Sequence, residues 1–238
     1  MNRVERETTK VFVLFLLISL LSPQAEGWHD ETHLAIVRAA GYAKWCYAVG
    51  ADMVKIKAGP IEEYNHYFNN AKNIPVTSDM VLSQINRYND PADPEGHLYG
   101  AIIASLREYK KTEQAGKYPE YHLAFCAHYV GDLSQPFHNI PYDGFNQAHH
   151  ETNDGIVDHE VRNHIDLIEK QMYPIPLKTD HFEEDLAQEI ARIADVSRKL
   201  GERLQEENRD MTREEAYVQL GRSASLLKAI LKSLGKTD

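Results

Sequence analysis

The chain is poor in cysteine: Cys46 and Cys126 are the two it has in 238 residues. They are free to pair in an exported protein, but one bridge makes no disulfide framework, and neither lies in a Cys-x-x-Cys metal pattern. Positive charge is also short. Against 26 Lys and Arg stand 36 Asp and Glu, a formal net charge of −10. Such a field does not steer the protein towards polyanions, which weighs against long nucleic acids and strongly anionic membranes as partners. Long hydrophobic runs are missing too. The longest apolar stretch, from Val11 to Leu21, has 11 residues, too few for a helix crossing about 30 Å of hydrocarbon. Period-two alternation of useful length, internal repeats and long linkers are all absent, so β-rich, repeat and two-domain architectures are set aside.

What is present begins with an export signal. Arg3, Arg6 and Lys10 precede the apolar run, and Ala25 and Gly27 are small residues placed for a cut before Trp28. Residues 1–27 are therefore expected to be a signal peptide, and residues 28–238 one exported, secreted or periplasmic, catalytic domain. That mature segment reads as helical throughout. Helices are expected over about 32–49, 60–68, 77–88, 97–111, 118–132, 148–172, 182–208 and 212–235. Gly59-Pro60, the loop 89–96, Pro136, Pro141, Pro174 and Pro176 provide the breaks. The fold class is all-α, a single-domain bundle of helices.

The chemistry lies in three acid–histidine pairs, four residues apart and so on one face of any helix that holds them: Glu62/His66, His128/Asp132 and His150/Asp154. One such pair is usually an ordinary surface contact. Three pairs, joined by His33 and His138 in one small chain, point to metal ions bound by imidazole nitrogen and carboxylate oxygen. The block Trp28-His29-Asp30-Glu31-Thr32-His33 directly follows the expected cut, which suggests that the freed terminus is itself a ligand. His149 and Asn153 form a pair one residue out of register, and His150 with Asp154 is preferred because Asn is a poor zinc ligand. His29, His122, His159, His164 and His181 lack a paired context and read as ordinary histidines.

The block His128-Tyr129-Val130-Gly131-Asp132-Leu133-Ser134-Gln135-Pro136-Phe137-His138 resembles the zinc-dependent phospholipase C family, whose relatives are the zinc-dependent single-strand nucleases. The resemblance covers residues 28–172, and the C-terminal helices match only in being helical. It implies a helical bundle of the phospholipase C/nuclease type with up to three Zn2+ ions. One ion would be held by the amino nitrogen and carbonyl of Trp28, by His33 and by Asp132. Asp132 would bridge to a second, held also by His128, His66 and an acid before His66. A third would be held by His138, His150 and Asp154. The family normally has Asp as that acid, often farther upstream; here Glu62 and Glu63 are the candidates, with a second task of orienting or deprotonating the attacking water.

The implied activity is hydrolysis of a phosphodiester by a metal-activated hydroxide, with phospholipid head-group esters as substrate. The partners expected are the substrate and a transient membrane surface, with no stable nucleic-acid complex, on a monomeric protein. Nuclease or 3′-nucleotidase activity is the alternative; it would need an aromatic platform near the metals, for which Tyr64, Tyr67, Phe68, Phe137, Tyr142 and Phe145 are candidates, although rings beside apolar runs are more often core. A non-catalytic, zinc-binding exported protein is the third reading.

Overall fold

A computed structural model describes residues 27–237. The expected signal peptide lies, apart from Gly27, outside the described residues. Among them are ten α-helices joined by short 3-10 turns and no strand: α1 Asp30–Ala39, α2 Gly50–Ala58, α3 Pro60–Glu63, α4 Ser78–Gln84, α5 Leu98–Gln114, α6 Glu120–Leu133, α7 Gly144–Asp154, α8 Ile165–Gln171, α9 Phe182–Glu207 and α10 Arg213–Ser233. The all-α bundle is as the sequence implies. No helix among the described residues is long and apolar enough to cross a membrane.

Local chemistry explains several boundaries. Thr77 caps α4 by accepting from the Met80 amide, and Asp143 caps α7 by accepting from the Phe145 and Asn146 amides. Thr212 and Glu215 form a reciprocal capping box at the start of α10. Pro60 occupies the first turn of α3, where its missing N–H costs nothing. Three expected helices are clearly shorter than the sequence pattern suggests, and the one expected over 60–68 ends at Glu63. The helix expected over 32–49 stops at Ala39, because Gly41 turns the backbone into the left-handed region at φ +84°. The helix expected over 148–172 ends at Asp154 and resumes only at Ile165. At that break the segment leading into α1 passes close by: the His29 amide donates to the Asp154 carbonyl at 3.3 Å.

The core has two clusters. One gathers apolar residues of α4, α5, α6, α9 and α10, including Ile102, Leu123, Ile190 and Leu227. The other joins Trp28, Ile36, Phe137, Val157, Leu204 and Leu220. Between them runs α6, buried along nearly its whole length. A helix buried on all sides should carry apolar residues throughout. Here α6 carries His128 and Asp132, both with no exposed surface. Burying a carboxylate costs several kcal/mol unless cations or donors surround it, so the fold demands partners at this position. Cys126, also on α6, is buried and free, whereas Cys46 is exposed and free; they form no bridge.

Candidate metal centre

Eight side chains from four helices and two adjoining turns gather around the charge that α6 buries. Four residues apart on that helix, His128 Nε2 and Asp132 Oδ2 are 3.4 Å apart. His33, on the inner face of α1, brings Nε2 to 3.2 Å from Asp132 Oδ1. His66, just beyond α3, places Nδ1 3.0 Å from Asp132 Oδ2. Asp132 therefore faces three imidazoles with both oxygens, the arrangement a bridging carboxylate needs. Asp52 on α2 closes the group, with Oδ2 3.4 Å from His128 Nε2 and Oδ1 3.7 Å from His66 Nδ1. A further group forms where the 3-10 turn at 136–139 meets α7: His138 Nε2 and His150 Nε2 stand 3.1 Å apart, and His150 Nε2 lies 3.2 Å from Asp154 Oδ2. Three sets of ligand atoms are each close enough to hold an ion: His33, His128 and Asp132; Asp52, His66 and His128; His138, His150 and Asp154.

The outer contacts show that these rings are aimed. His128 donates from Nδ1 to the Ala48 carbonyl at 2.7 Å, and His138 donates from Nδ1 to the His66 carbonyl at 2.5 Å. His150 Nδ1 meets Asn146 Oδ1 at 2.6 Å, and the Gln135 amide donates to Asp154 Oδ1 at 2.6 Å. In all three rings an acceptor fixes the Nδ1 proton and turns Nε2 inward, as outer partners do for metal-binding histidines. Buried polar atoms with no hydrogen bond concentrate in the same place. They include both ring nitrogens of His33, His66 Nε2, His128 Nε2, Asp52 Oδ1, Asp132 Oδ1 and Asp154 Oδ2. Buried polar atoms are nearly always satisfied in proteins, and divalent cations in the ligand groups would satisfy most of this set.

The electrostatics agree. Burial opposes ionisation of Asp132, but His128 and His33 outweigh it and hold the carboxyl well below its ordinary range. Burial also opposes charging His128, yet Asp52 and Asp132 raise it to about 9. Asp154 goes the other way: burial, then the neighbouring Asp132, lift its carboxyl well above the usual range. A cation between His138, His150 and Asp154 would reverse that shift.

The acids expected at Glu62 or Glu63 stand outside the three ligand groups. Glu62 is buried and its Oε1 lies 3.5 Å from His66 Nε2, but the same oxygen accepts from the Tyr129 hydroxyl at 2.6 Å. Its other oxygen takes a longer contact from the Asn65 amide. Glu63 joins none of the three ligand groups, and the acid grouped with His66 and His128 is Asp52. Its signal was weak: it sits 14 residues before His66 on a short helix in which no pairing pattern stood out. Every other expected side-chain ligand, namely His33, His66, His128, Asp132, His138, His150 and Asp154, is in one of the groups. Trp28 is fully buried nearby. The alternative register is occupied elsewhere, since His149 and Asn153 both contact Asp210. Of the candidate platform rings, Phe68 packs on Tyr99 and the core, and Phe145 is stacked between Phe137 and His149.

At the expected cut, the backbone is pressed against the centre. A Cβ on Gly27 would fall 1.9 Å from Asp132 Oδ1. A cleft of about 400 Å³ opens beside it, lined by Trp28, Asp52, Met53, Lys55, Ile56 and Glu151 among others. No protein-family model, curated protein or solved structure matches the chain.

Proposed function

We propose that the protein is a zinc-dependent phosphodiester hydrolase of the phospholipase C type, exported and cut before Trp28, that acts on phospholipid head-group esters. The observation that carries this reading is the inward aim of three histidine Nε2 atoms around two buried aspartates, beside an open cleft. In the ligand assignment, His33 and Asp132 would share one ion with the terminus of Trp28; Asp132, Asp52, His66 and His128 would hold the second; His138, His150 and Asp154 would hold the third. The Gly27 backbone lies against Asp132, so cutting there frees an amine, of pKa about 8, next to a ligand. When bound, zinc supplies a nucleophile at neutral pH and neutralises charge growing on the phosphoryl oxygens.

The chain's own residues define the rest of the reaction site. Asp132 sets the spacing between its imidazole neighbours. Asp52 lies both in the ligand group and on the cleft wall, so it ties the centre to the surface where substrate enters. Lys55, 3.0 Å from Asp52, adds positive charge beside the position a phosphate would take. Glu62, engaged by Tyr129, acts as a support for His66 rather than as a ligand. A nuclease reading retains one observation: Tyr142, partly exposed, stands edge-on to His150 with ring centres 5.9 Å apart.

The test begins with metal analysis of the processed protein. Release of phosphocholine from phosphatidylcholine is then compared with release of nucleotides from single-stranded DNA and with cleavage of bis-(p-nitrophenyl) phosphate. Zinc bound in more than one equivalent, with phosphocholine release lost in Asp132→Asn, is the expected result. Preference for DNA would replace the phospholipid reading. Metal-loaded protein that cleaves none of the three substrates would leave only a non-catalytic zinc protein.

A further inference from the structure

The cleft beside the metal centre opens onto an apolar face. On α2, Met53 is 67% exposed and Ile56 is 76% exposed. Their spacing, with Lys57 next in line, puts them on one outward side of the helix. Met53 lines the metal-side cleft and also a second groove of about 310 Å³, whose walls include Tyr47, Tyr118, Tyr121 and Phe125. Tyr47, Tyr118 and Tyr121 are each about half exposed. The two depressions are thus one continuous surface, with the metal ligand Asp52 at one end and a group of tyrosines at the other.

Charge is divided along this face. Residues 42–61 hold Lys44, Lys55 and Lys57 with Asp52 as their one acid. Lys55 is buried 3.0 Å from Asp52, which leaves Lys44 and Lys57 towards solvent, while the metal-side cleft is lined also by Asp30, Glu151 and Asp158. On the neighbouring segment, Lys117 precedes Tyr118, while Glu120 is buried and paired with Lys236 and Lys44. An apolar strip flanked by Lys44, Lys57 and Lys117 therefore stands beside an acid-lined cleft on a protein of net charge −10. Tyrosines with apolar bodies and polar tips, lysines at the rim and an exposed aliphatic helix face are the features that seat a protein in the headgroup layer of a bilayer.

We infer that this face, from Tyr121 across Met53 to Ile56, docks on a phospholipid surface containing anionic lipid and presents the mouth of the cleft to the headgroups. The inference rests on the phospholipid reading of the cleft for its choice of occupant. Overall repulsion from the acidic body keeps the contact weak and reversible, and the lysines set its lipid preference.

The experiment is flotation of the processed protein with vesicles of phosphatidylcholine, pure or containing phosphatidylglycerol. Binding is expected with the mixed vesicles and to weaken with added salt. The variants Tyr47→Ser/Tyr121→Ser and Lys57→Glu/Lys117→Glu, whose residues touch neither ligands nor the metal-side cleft, are expected to bind about tenfold more weakly. Their circular dichroism and their cleavage of bis-(p-nitrophenyl) phosphate should match the parent. Parent protein that does not float, variants that float equally well, or a parent dimer in sedimentation velocity that the tyrosine variant abolishes would each overturn the inference. Vesicle binding without hydrolysis of any lipid would keep the docking face and remove the phospholipase reading. Lipid hydrolysis with unchanged vesicle binding in the variants would do the opposite.

Discussion

At the scale of single residues, the ligand set divides by how local its geometry is. His128/Asp132 and His150/Asp154 were legible because each pair lies within one real helix, where a spacing of four brings side chains together. Glu62/His66 met the same spacing, but α3 ends at Glu63 and His66 lies past the helix. Glu62 still comes within 3.5 Å of the ring, yet the Tyr129 hydroxyl claims its oxygen. Asp52 reaches His66 and His128 through tertiary folding alone, which no spacing rule records. Two variants separate these roles. Asp52→Asn is expected to lose bound metal by well over 100-fold in affinity, whereas Glu62→Gln should remain within the roughly 10–100-fold typical of an outer partner; metal analysis after dialysis against graded chelator measures both. By the same reasoning, Asn146→Ala frees the His150 ring from its 2.6 Å anchor and should weaken only the His138/His150/Asp154 site, by about 10–100-fold.

At the scale of elements, most helices were readable and their ends were less so, while α2, Gly50–Ala58, fell between the helices that were expected. Thr77 and Thr212 announced α4 and α10, and both cap as their side-chain chemistry requires. The break after α7 was hidden because its cause lies elsewhere in the chain: residues 27–29 need the space at its C-terminal end, where a Cβ on Gly155 would lie 2.9 Å from the His29 ring. Helix α6 shows how closely the elements meet at the centre. A Cβ on Gly131 would lie 2.5 Å from His33 Nδ1, so α1 approaches α6 only across a residue without a side chain. Gly131→Ala should displace His33, reduce metal occupancy and cost roughly 1–3 kcal/mol in urea unfolding. Thr212→Ala serves as the contrast: loss of the capping box should cost about 1 kcal/mol and leave metal content unchanged.

At the scale of the whole molecule, Glu120 fastens distant parts of the chain. It accepts from the Tyr42 hydroxyl at 2.6 Å and from Lys236 at 2.7 Å, with Lys44 3.4 Å away. Burial pushes its carboxyl up, but Lys236, Tyr42 and Lys44 outweigh that and hold it below the ordinary carboxylate range. A lowered folded-state pKa gives stability that is present above the unfolded value and lost as pH falls through the folded one. Glu120→Gln should therefore melt roughly 3 °C or more below the parent at pH 7, and the gap should close as the pH drops below about 4. The C-terminal helices, which the motif did not explain, turn out to brace the ligand-bearing helix. Ser223 of α10 donates to the Val130 carbonyl, 93 positions earlier in the chain, and Gln219 donates to the Ser134 carbonyl. Order of synthesis gives this brace a temporal meaning. The ribosome delivers His128 and Asp132 long before the side chains that secure their helix, so a nascent chain paused between them holds its histidines unassembled, and a competent centre waits for translation to pass α10.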